Sequence, residues 1–173
     1  MEVKSRTKPA TPTFFADVLS QLGGETLTLC YQCGTCASSC PVARLTKRFN
    51  PRTIIKNAIL GNREQILRDG SIWLCCSCFN CQERCPQEIE IADLIYALRN
   101  MALKEGYAPK AFLDMASSLM DDGRIASITN FTIKRREKVG LPPIGSSGVE
   151  PLNKILLATE FSRTVNKAKE AAK

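Results

Sequence analysis

The sequence predicts an all-α fold with a duplicated, cysteine-rich core and a helical C-terminal extension. Three observations support this prediction. One cysteine pattern occurs twice in the chain. The segments between and after the two copies show helix-capping signals and helical apolar spacing, with no convincing strand alternation. The 173 residues include nine cysteines and no histidine, so any metal chemistry falls to thiolates.

The duplicated element has the spacing C-x2-C-x2-C-x3-C-P. Its first copy, here called the first run, extends from Leu29 to Pro41, and the second run extends from Leu74 to Pro86. A shift of 45 residues, which places Cys30 on Cys75, aligns all four cysteines, the preceding leucine and the following proline. Such self-similarity indicates that one structural unit occurs twice.

This spacing is typical of proteins that bind two [4Fe–4S] clusters. In that arrangement three closely spaced cysteines of a run bind one cluster, and the fourth, beside the proline, binds the other. The middle cysteine, whose loss commonly leads to a [3Fe–4S] centre, is present in both runs. The expected ligand sets are Cys30, Cys33, Cys36 and Cys85 for one cluster, and Cys75, Cys78, Cys81 and Cys40 for the other.

Other uses of the cysteines are less consistent with the pattern. Two structural zinc sites could use eight thiolates, but this is not zinc-ribbon spacing, and buried free cysteines would not repeat in this way. The lack of histidine excludes mixed Cys/His zinc sites, Rieske centres and His-ligated haem. The ninth cysteine, Cys76, stands where the first run has Tyr31. We expect a packing thiol there, with an alternative ligand or redox role left open.

The composition is that of a soluble globular protein, with 44% hydrophobic and 24% charged residues. No stretch approaches the roughly 18 apolar residues that suggest a membrane span. The N-terminus lacks the apolar core of a secretory signal, so we expect a cytoplasmic protein. The net charge of +7 would fall to +3 with two oxidised clusters bound, each carrying −2 with its thiolates. Aromatic residues are not interleaved with the basic ones, so we expect no nucleic-acid partner.

Helix signals divide the rest of the chain. Asn50 and Pro51 are expected to start a helix that ends at Gly61, and Asn62 with Gln65 resembles a second capping signal for a helix ending at Gly70. The spacing of Ile91, Leu94, Ile95 and Leu98 predicts a helix that ends at Gly106. A further helix is expected to begin at Pro109, with Phe112, Ala116 and Leu119 facing inward. After a linker at 140–148, residues from Pro151 to Ala172 are again expected to be helical.

The predicted organisation has three parts. Residues 1–12 are expected to form a disordered arm, and residues 13–106 the cluster-binding domain. Residues 107–173 contain no expected ligand and are expected to form a helical extension that docks other proteins of a complex.

The 34 residues between the runs leave room for two helices, unlike the shorter link of a compact bacterial ferredoxin. From Gly24 to Gly106 the arrangement resembles the α-helical ferredoxin fold found in succinate dehydrogenases and fumarate reductases. A closer likeness, from Phe14 to Phe161, is carried by the segments CYQCGTC, SCPVAR, IWLCCSCFNCQERCP, GLPP and KILLATEF. These segments resemble the iron–sulfur C subunit of the heterodisulfide reductase family.

That resemblance implies two [4Fe–4S] clusters that relay electrons from a subunit containing flavin and iron–sulfur clusters to a cysteine-rich catalytic subunit. In methanogens the catalytic subunit reduces the heterodisulfide of coenzyme M and coenzyme B. The chain has no G-x-G-x-x-G fingerprint and no CCG-type repeat, so we expect neither a flavin nor a substrate-converting site of its own. A free ferredoxin-like carrier, an iron–sulfur subunit of a quinone-linked dehydrogenase and a metal-stabilised regulatory module remain as alternatives.

Overall fold

The computed structural model describes residues 12–126, 128–145 and 149–171. Within these ranges the chain is helical and has no β-strand, which confirms the predicted all-α class. The predicted N-terminal arm lies outside the described residues, apart from Pro12, which begins the first helix. The chain divides into two compact units, one ending at Ala102 and the other beginning at Leu103. The division falls four residues before the predicted boundary at Gly106, which stays a prediction.

The first unit is built from short helices around the two runs. Two 3₁₀ turns, Leu27–Leu29 and Ser71–Leu74, precede the first and second runs. The helices are α1 (Pro12–Leu19), α2 (Thr35–Ser38), α3 (Pro41–Leu45), α4 (Pro51–Ile59), α5 (Arg63–Leu67), α6 (Asn80–Glu83) and α7 (Ile91–Lys104), whose last turn extends beyond Ala102. The second unit contains α8 (Lys110–Asp122), α9 (Asn130–Lys138), α10 (Val149–Ala158) and α11 (Phe161–Ala171).

Helix α4 begins where the sequence predicts. The Asn50 side chain accepts a hydrogen bond from the Thr53 amide at 3.2 Å, and Pro51 occupies the first helical position. The predicted cap at Asn62 is wrong, because the Asn62 side-chain amide instead donates to Asn57 Oδ1 at 3.1 Å. Helix α5 nevertheless starts at the next residue and ends at Leu67, three residues before Gly70.

The core of the first unit lies under the cysteine runs. Helix α1 packs on α4, and α4 packs on α5 and on the 3₁₀ turn before the first run. Helix α7 buries its apolar face, as its spacing predicts. Side chains that are fully buried in this core include Phe14, Leu27, Ile55, Leu67, Ile72, Leu94, Ile95 and Leu98. This apolar base holds the cysteine-bearing turns in place.

In the second unit, α8, α10 and α11 pack against one another and bury Leu113, Leu156 and Val165. Helix α8 starts after Pro109 as predicted, but Phe112, expected inward, is 40% exposed. Leu113 takes the buried position, because apolar spacing predicts a helix without fixing which of two adjacent residues faces the core. Glycine suits position 106, because φ there is +81° and an added Cβ would lie only 2.5 Å from Ala171 Cβ.

The expected single helix over residues 151–172 is two helices, and Ala172 lies outside the described residues. The chain breaks at Glu160, which has φ +57°. The Thr159 hydroxyl donates to the Ile155 carbonyl at 2.9 Å, a local bond that competes with helix continuation. In the predicted linker, residues 141–145 have no regular secondary structure and residues 146–148 lie outside the described ranges.

None of the helices in the described ranges combines the length and the apolar character needed to cross a bilayer.

Candidate iron–sulfur site

The two cysteine runs share one backbone conformation. The residues two and four places after the first cysteine have positive φ in both: Gln32 (+62°) and Gly34 (+87°) in the first run, Ser77 (+56°) and Phe79 (+60°) in the second. Each run then continues into a four-residue helix, α2 or α6. The sequence repeat is therefore also a repeat of the cysteine-presenting turn.

The short helices bring the two runs together. Helix α2 packs against α6, and the Ser39 hydroxyl donates to the Asn80 carbonyl across the contact at 3.5 Å. The third cysteine of each run, Cys36 or Cys81, lies on one of these helices and is only 8% exposed. The buried ends of the two runs are thus neighbours.

Cys85, the last cysteine of the second run, lies near the cysteines of the first run. Burial, followed by the charge of Cys30, raises the pKa of Cys36 to about 11, and the charges of Cys33 and Cys85 add to this increase. An electrostatic effect of this kind requires proximity. Cys30, Cys33 and Cys85 therefore all lie near Cys36.

Cys40, the last cysteine of the first run, lies in turn with the second run. One cavity is lined by Cys40 together with Cys75, Cys78 and Cys81. Pro41 begins α3 directly after Cys40, and the Ala43 amide donates to Cys40 Sγ at 3.4 Å. Cys76 is a fifth thiol in the lining. The remaining lining residues are apolar: Val42, Phe49, Pro51, Phe79 and Ala92.

Hydrogen bonds to sulfur differ between the groups. In the first run the Gln32 side-chain amide donates to Cys30 Sγ at 3.3 Å, whereas in the second the Ser77 backbone amide donates to Cys75 Sγ at 3.4 Å. Cys33 Sγ shares a 3.4 Å hydrogen bond with the Thr35 hydroxyl, which is the main cause of a lowered pKa at Cys33. N–H···S bonds such as those to Cys30 and Cys75 help to set the reduction potential of an iron–sulfur centre.

Burial has the opposite effect at the third cysteine of each run. Desolvation, followed by the charge of Cys75, raises the pKa of Cys81 to about 12, in parallel with Cys36. Both buried thiols are therefore protonated at neutral pH until a metal displaces the proton.

The donor set fits iron–sulfur clusters. All nine cysteines are free thiols. Within the described ranges, no three Cys, Asp or Glu side chains are grouped closely enough to hold a single metal ion. A tetrahedral zinc site needs Zn–S distances of about 2.3 Å and hence tightly clustered sulfurs. In a [4Fe–4S] cluster each thiolate binds a different iron, so the four sulfurs surround a cubane and need not converge on a single ion.

Sequence patterns did not predict two of the contacts at the site. The Gln82 side chain accepts from the Ala92 amide and donates to Asp93, each at 3.1 Å, and so caps the start of α7. The Arg99 guanidinium donates to the carbonyls of Ile72 and Cys75. Both pairs are distant along the chain, and neither follows a local sequence signal.

Comparison with known proteins agrees with this geometry. Residues 26–89 match the 4Fe-4S dicluster domain family. The chain is 35% identical to the C subunit of the H(2):CoB-CoM heterodisulfide,ferredoxin reductase of Methanothermobacter thermautotrophicus, over 87% of this chain and 84% of that protein. It is 36% identical to the C subunit of the ferredoxin/F(420)H(2)-dependent CoB-CoM heterodisulfide reductase of Methanosarcina acetivorans, over 87% and 98%.

A protein of Archaeoglobus profundus, named for its likeness to the heterodisulfide reductase C subunit, is 33% identical over 85% of this chain and 80% of its own length. The resemblance predicted from the cysteine runs is thereby confirmed, and the methanogen relatives are parts of an oxidoreductase. The chain is an iron–sulfur electron-transfer subunit and belongs to the family of heterodisulfide reductase C subunits.

Proposed function

We propose that this chain relays electrons within a heterodisulfide-reductase-like complex, from a flavin-containing subunit to a disulfide-reducing subunit. Each bound [4Fe–4S] cluster would supply a one-electron redox centre. The CoB-CoM heterodisulfide named for the methanogen relatives is the proposed final acceptor. The proposed ligands are Cys30, Cys33, Cys36 and Cys85 for the first cluster, and Cys75, Cys78, Cys81 and Cys40 for the second.

The observation that carries this proposal is the order of burial within the two thiol groups. In each run the second cysteine of the pattern, Cys33 or Cys78, is exposed and the third, Cys36 or Cys81, is buried, as is Cys40. The charge of Cys36 contributes to the raised pKa of Cys81, so the buried ends of the two groups are close together. Each thiol group therefore has one cysteine at the surface, and the two groups meet at their buried cysteines. A relay that passes electrons between two separate partners needs this arrangement.

The second unit supports docking to a partner protein. In residues 124–145 a cavity of about 530 Å³ is lined largely by apolar side chains, among them Ile133, Leu141 and Ile144. Its wall is held by two arginines, since Arg136 donates to the Pro142 carbonyl at 3.1 Å and Arg124 donates to the Gly145 carbonyl. A cavity of this size can accept one or two large side chains.

The same segment is basic and leaves its apolar residues exposed. It carries five basic residues and one acidic residue. Helix α9 buries none of its residues. The exposed apolar side chains are Ile125, Phe131, Ile133, Val139, Leu141 and Ile144. Such a surface marks an interaction site, and its charge favours an acidic surface of another protein of the complex as the occupant.

A membrane is the less suitable occupant. A helix that lies in a bilayer surface needs its apolar residues on one face. Phe131 and Ile133 are two residues apart in α9 and so point to opposite sides of the helix. The concave cavity instead fits projecting side chains of another protein.

Anaerobic purification of the tagged chain from its native source tests the relay proposal. We expect about eight iron and eight sulfide per chain, as two cubanes require. We also expect a flavoprotein and a cysteine-rich protein to co-elute. A lone, iron-loaded chain would favour a free carrier, and a colourless chain with stoichiometric zinc would overturn the cluster assignment.

Photo-crosslinking in the same complex tests the docking surface. A crosslinker at Ile144 should label an acidic stretch of a partner protein, whereas one at Leu157, an apolar and more exposed position on α10, should not. The double variant Lys134→Glu, Arg135→Glu should weaken assembly about tenfold or more. Crosslinks only to lipid or to a second copy of the chain would contradict this surface.

A further inference from the structure

Arg99 lies outside both cysteine runs, on α7, and is half-buried. Its Nε donates to the Ile72 carbonyl at 3.0 Å and its Nη2 donates to the Cys75 carbonyl at 2.6 Å. Both acceptors lie at the point where the 3₁₀ turn leads into the second run. The forked guanidinium therefore ties the first cysteine of the second run to the long helix of the unit.

Two aromatic rings flank the guanidinium. Its carbon lies 5.7 Å from the centre of the Trp73 ring and 5.8 Å from the centre of the Tyr96 ring, distances at which a cation is attracted to a ring face. The rings also keep water away from part of the guanidinium. A charge that is held in place and partly shielded from water acts more strongly on its neighbours than a solvated one.

The first run has a different arginine beside it. Arg52 is exposed, and an added Cβ at Gly34 would lie 3.7 Å from Arg52 Nη1. The sulfur of Cys30 receives its hydrogen bond from the neutral amide of Gln32. Each run thus has a nearby positive charge, but only Arg99 of these two is half-buried and bonded to the backbone of an expected ligand.

We propose that Arg99 is a positioning residue that fixes the backbone at Cys75 and makes the second cluster easier to reduce than it would be without this charge. The inference rests on the proposed function, in which Cys75 is a cluster ligand. Reduction adds an electron, so a fixed positive charge favours the reduced state. Electrons entering through the first thiol group would then pass more readily to the second.

The test is an EPR-monitored redox titration of the anaerobically purified full-length chain and of its variants. Arg99→Gln should lower the potential of the second cluster by an amount equal to about a tenfold change in its reduction equilibrium, or ~59 mV for one electron. The first cluster should keep its potential. Arg99→Lys, which retains the charge but not the fork, should show a smaller shift.

Arg52→Gln is the matched control, because it removes the same charge beside the first run. We expect no measurable shift of the second cluster and only a small one of the first, since Arg52 is solvated. Tyr96→Leu keeps both hydrogen bonds of Arg99 and admits water, so it should lower the second potential by less than Arg99→Gln. This variant tests the inference even if Arg99→Gln loses iron.

An unchanged second potential in Arg99→Gln with full iron content, or in Tyr96→Leu where Arg99→Gln loses iron, would overturn the inference and leave the proposed function intact. Equal shifts of both clusters, or a shift in Arg99→Lys as large as in Arg99→Gln, would also overturn it. Absence of iron from the unmodified chain would instead contradict the proposed function itself. The two outcomes are therefore distinguishable.

Discussion

The first and second cysteine runs have the same ligand spacing and the same turn, yet all seven residues between their ligands differ, three of them in the turn itself. Position by position, the first run has Tyr31, Gln32 and Gly34 where the second has Cys76, Ser77 and Phe79. The positive φ values at the last two positions are kept in both runs, whatever the side chain. Ligand placement is therefore set by the backbone, and the side chains are left to adjust the environment of each cluster.

The Gly34 and Phe79 pair illustrates this most clearly. Glycine adopts positive φ at little cost, whereas a bulky residue there is strained by roughly 1–3 kcal/mol. Phe79 nevertheless has φ +60° and helps to line the cavity that Cys40 shares with Cys75, Cys78 and Cys81. The second run thus accepts strain in exchange for an apolar cover, which the first run lacks at this position.

The largest expected effect comes from removing the fourth cysteine of a run, which is proposed to bind the cluster of the other run. Cys85→Ser should damage the cluster of the first run and lower the iron content by up to about half, although Cys85 belongs to the second run. Cys40→Ser should do the reverse. EPR spectra check this, because Cys85→Ser should resemble Cys33→Ser. A spectrum like that of Cys78→Ser would mean that each run binds its own cluster.

A smaller effect is expected from removing the side-chain amide that donates to Cys30 Sγ, since the second run uses a backbone amide at the equivalent position. Gln32→Gly removes the donor to Cys30 without strain, because glycine tolerates φ +62°. Loss of an N–H···S bond should lower the potential of the first cluster and leave the second unchanged. Ser77→Gly is the control in a redox titration, since its backbone amide still donates to Cys75. A lowered potential in both variants would mean that flexibility, not the hydrogen bond, is responsible.

Gly34→Ala tests the cost of the turn itself. An added Cβ would touch only Arg52, at 3.7–3.8 Å, so the cost should be conformational and about 1 kcal/mol in the free energy of unfolding. Gly70→Ala provides a match, because Gly70 has φ +75° and nothing within 4 Å of the added atom. Anaerobic denaturant titrations should give similar losses. A much larger loss at Gly34 would show that the cost is not conformational alone and that the turn of the first run requires glycine for another reason.

How much of this site the sequence predicts depends on the range of each interaction. The ligand spacing, the Asn50 cap and the apolar face of α7 are local features, and the structure has the cap and the buried face. The assignment of ligands to clusters stays a prediction. The contacts of Gln82 and Arg99 span 10 to 27 residues and carry no local signal. The sequence also did not fix which face of α8 points to the core, since Phe112, expected inward, is exposed.

The smallest effect is expected from substituting Cys76, the position where the runs differ most in chemistry. We expect no change in iron content. Cys76 is exposed, and it lies outside the C-x2-C-x2-C-x3-C spacing that the two runs share. Four other cysteines are already available to the second cluster. Cys76→Ser should therefore keep full iron content and both EPR signals.

Cys76→Tyr sharpens the same test, because it installs the residue that the first run tolerates at this place. Tyrosine supplies no thiolate, and at an exposed position it should fit as Tyr31 does, which is 60% exposed. Retention of both clusters in the serine and tyrosine variants would leave Cys76 outside the ligand set. Loss of about half the iron in both variants, with the EPR change seen in Cys78→Ser, would instead make Cys76 a ligand of the second cluster. The spacing that relates the two runs would then no longer describe how the second run binds iron.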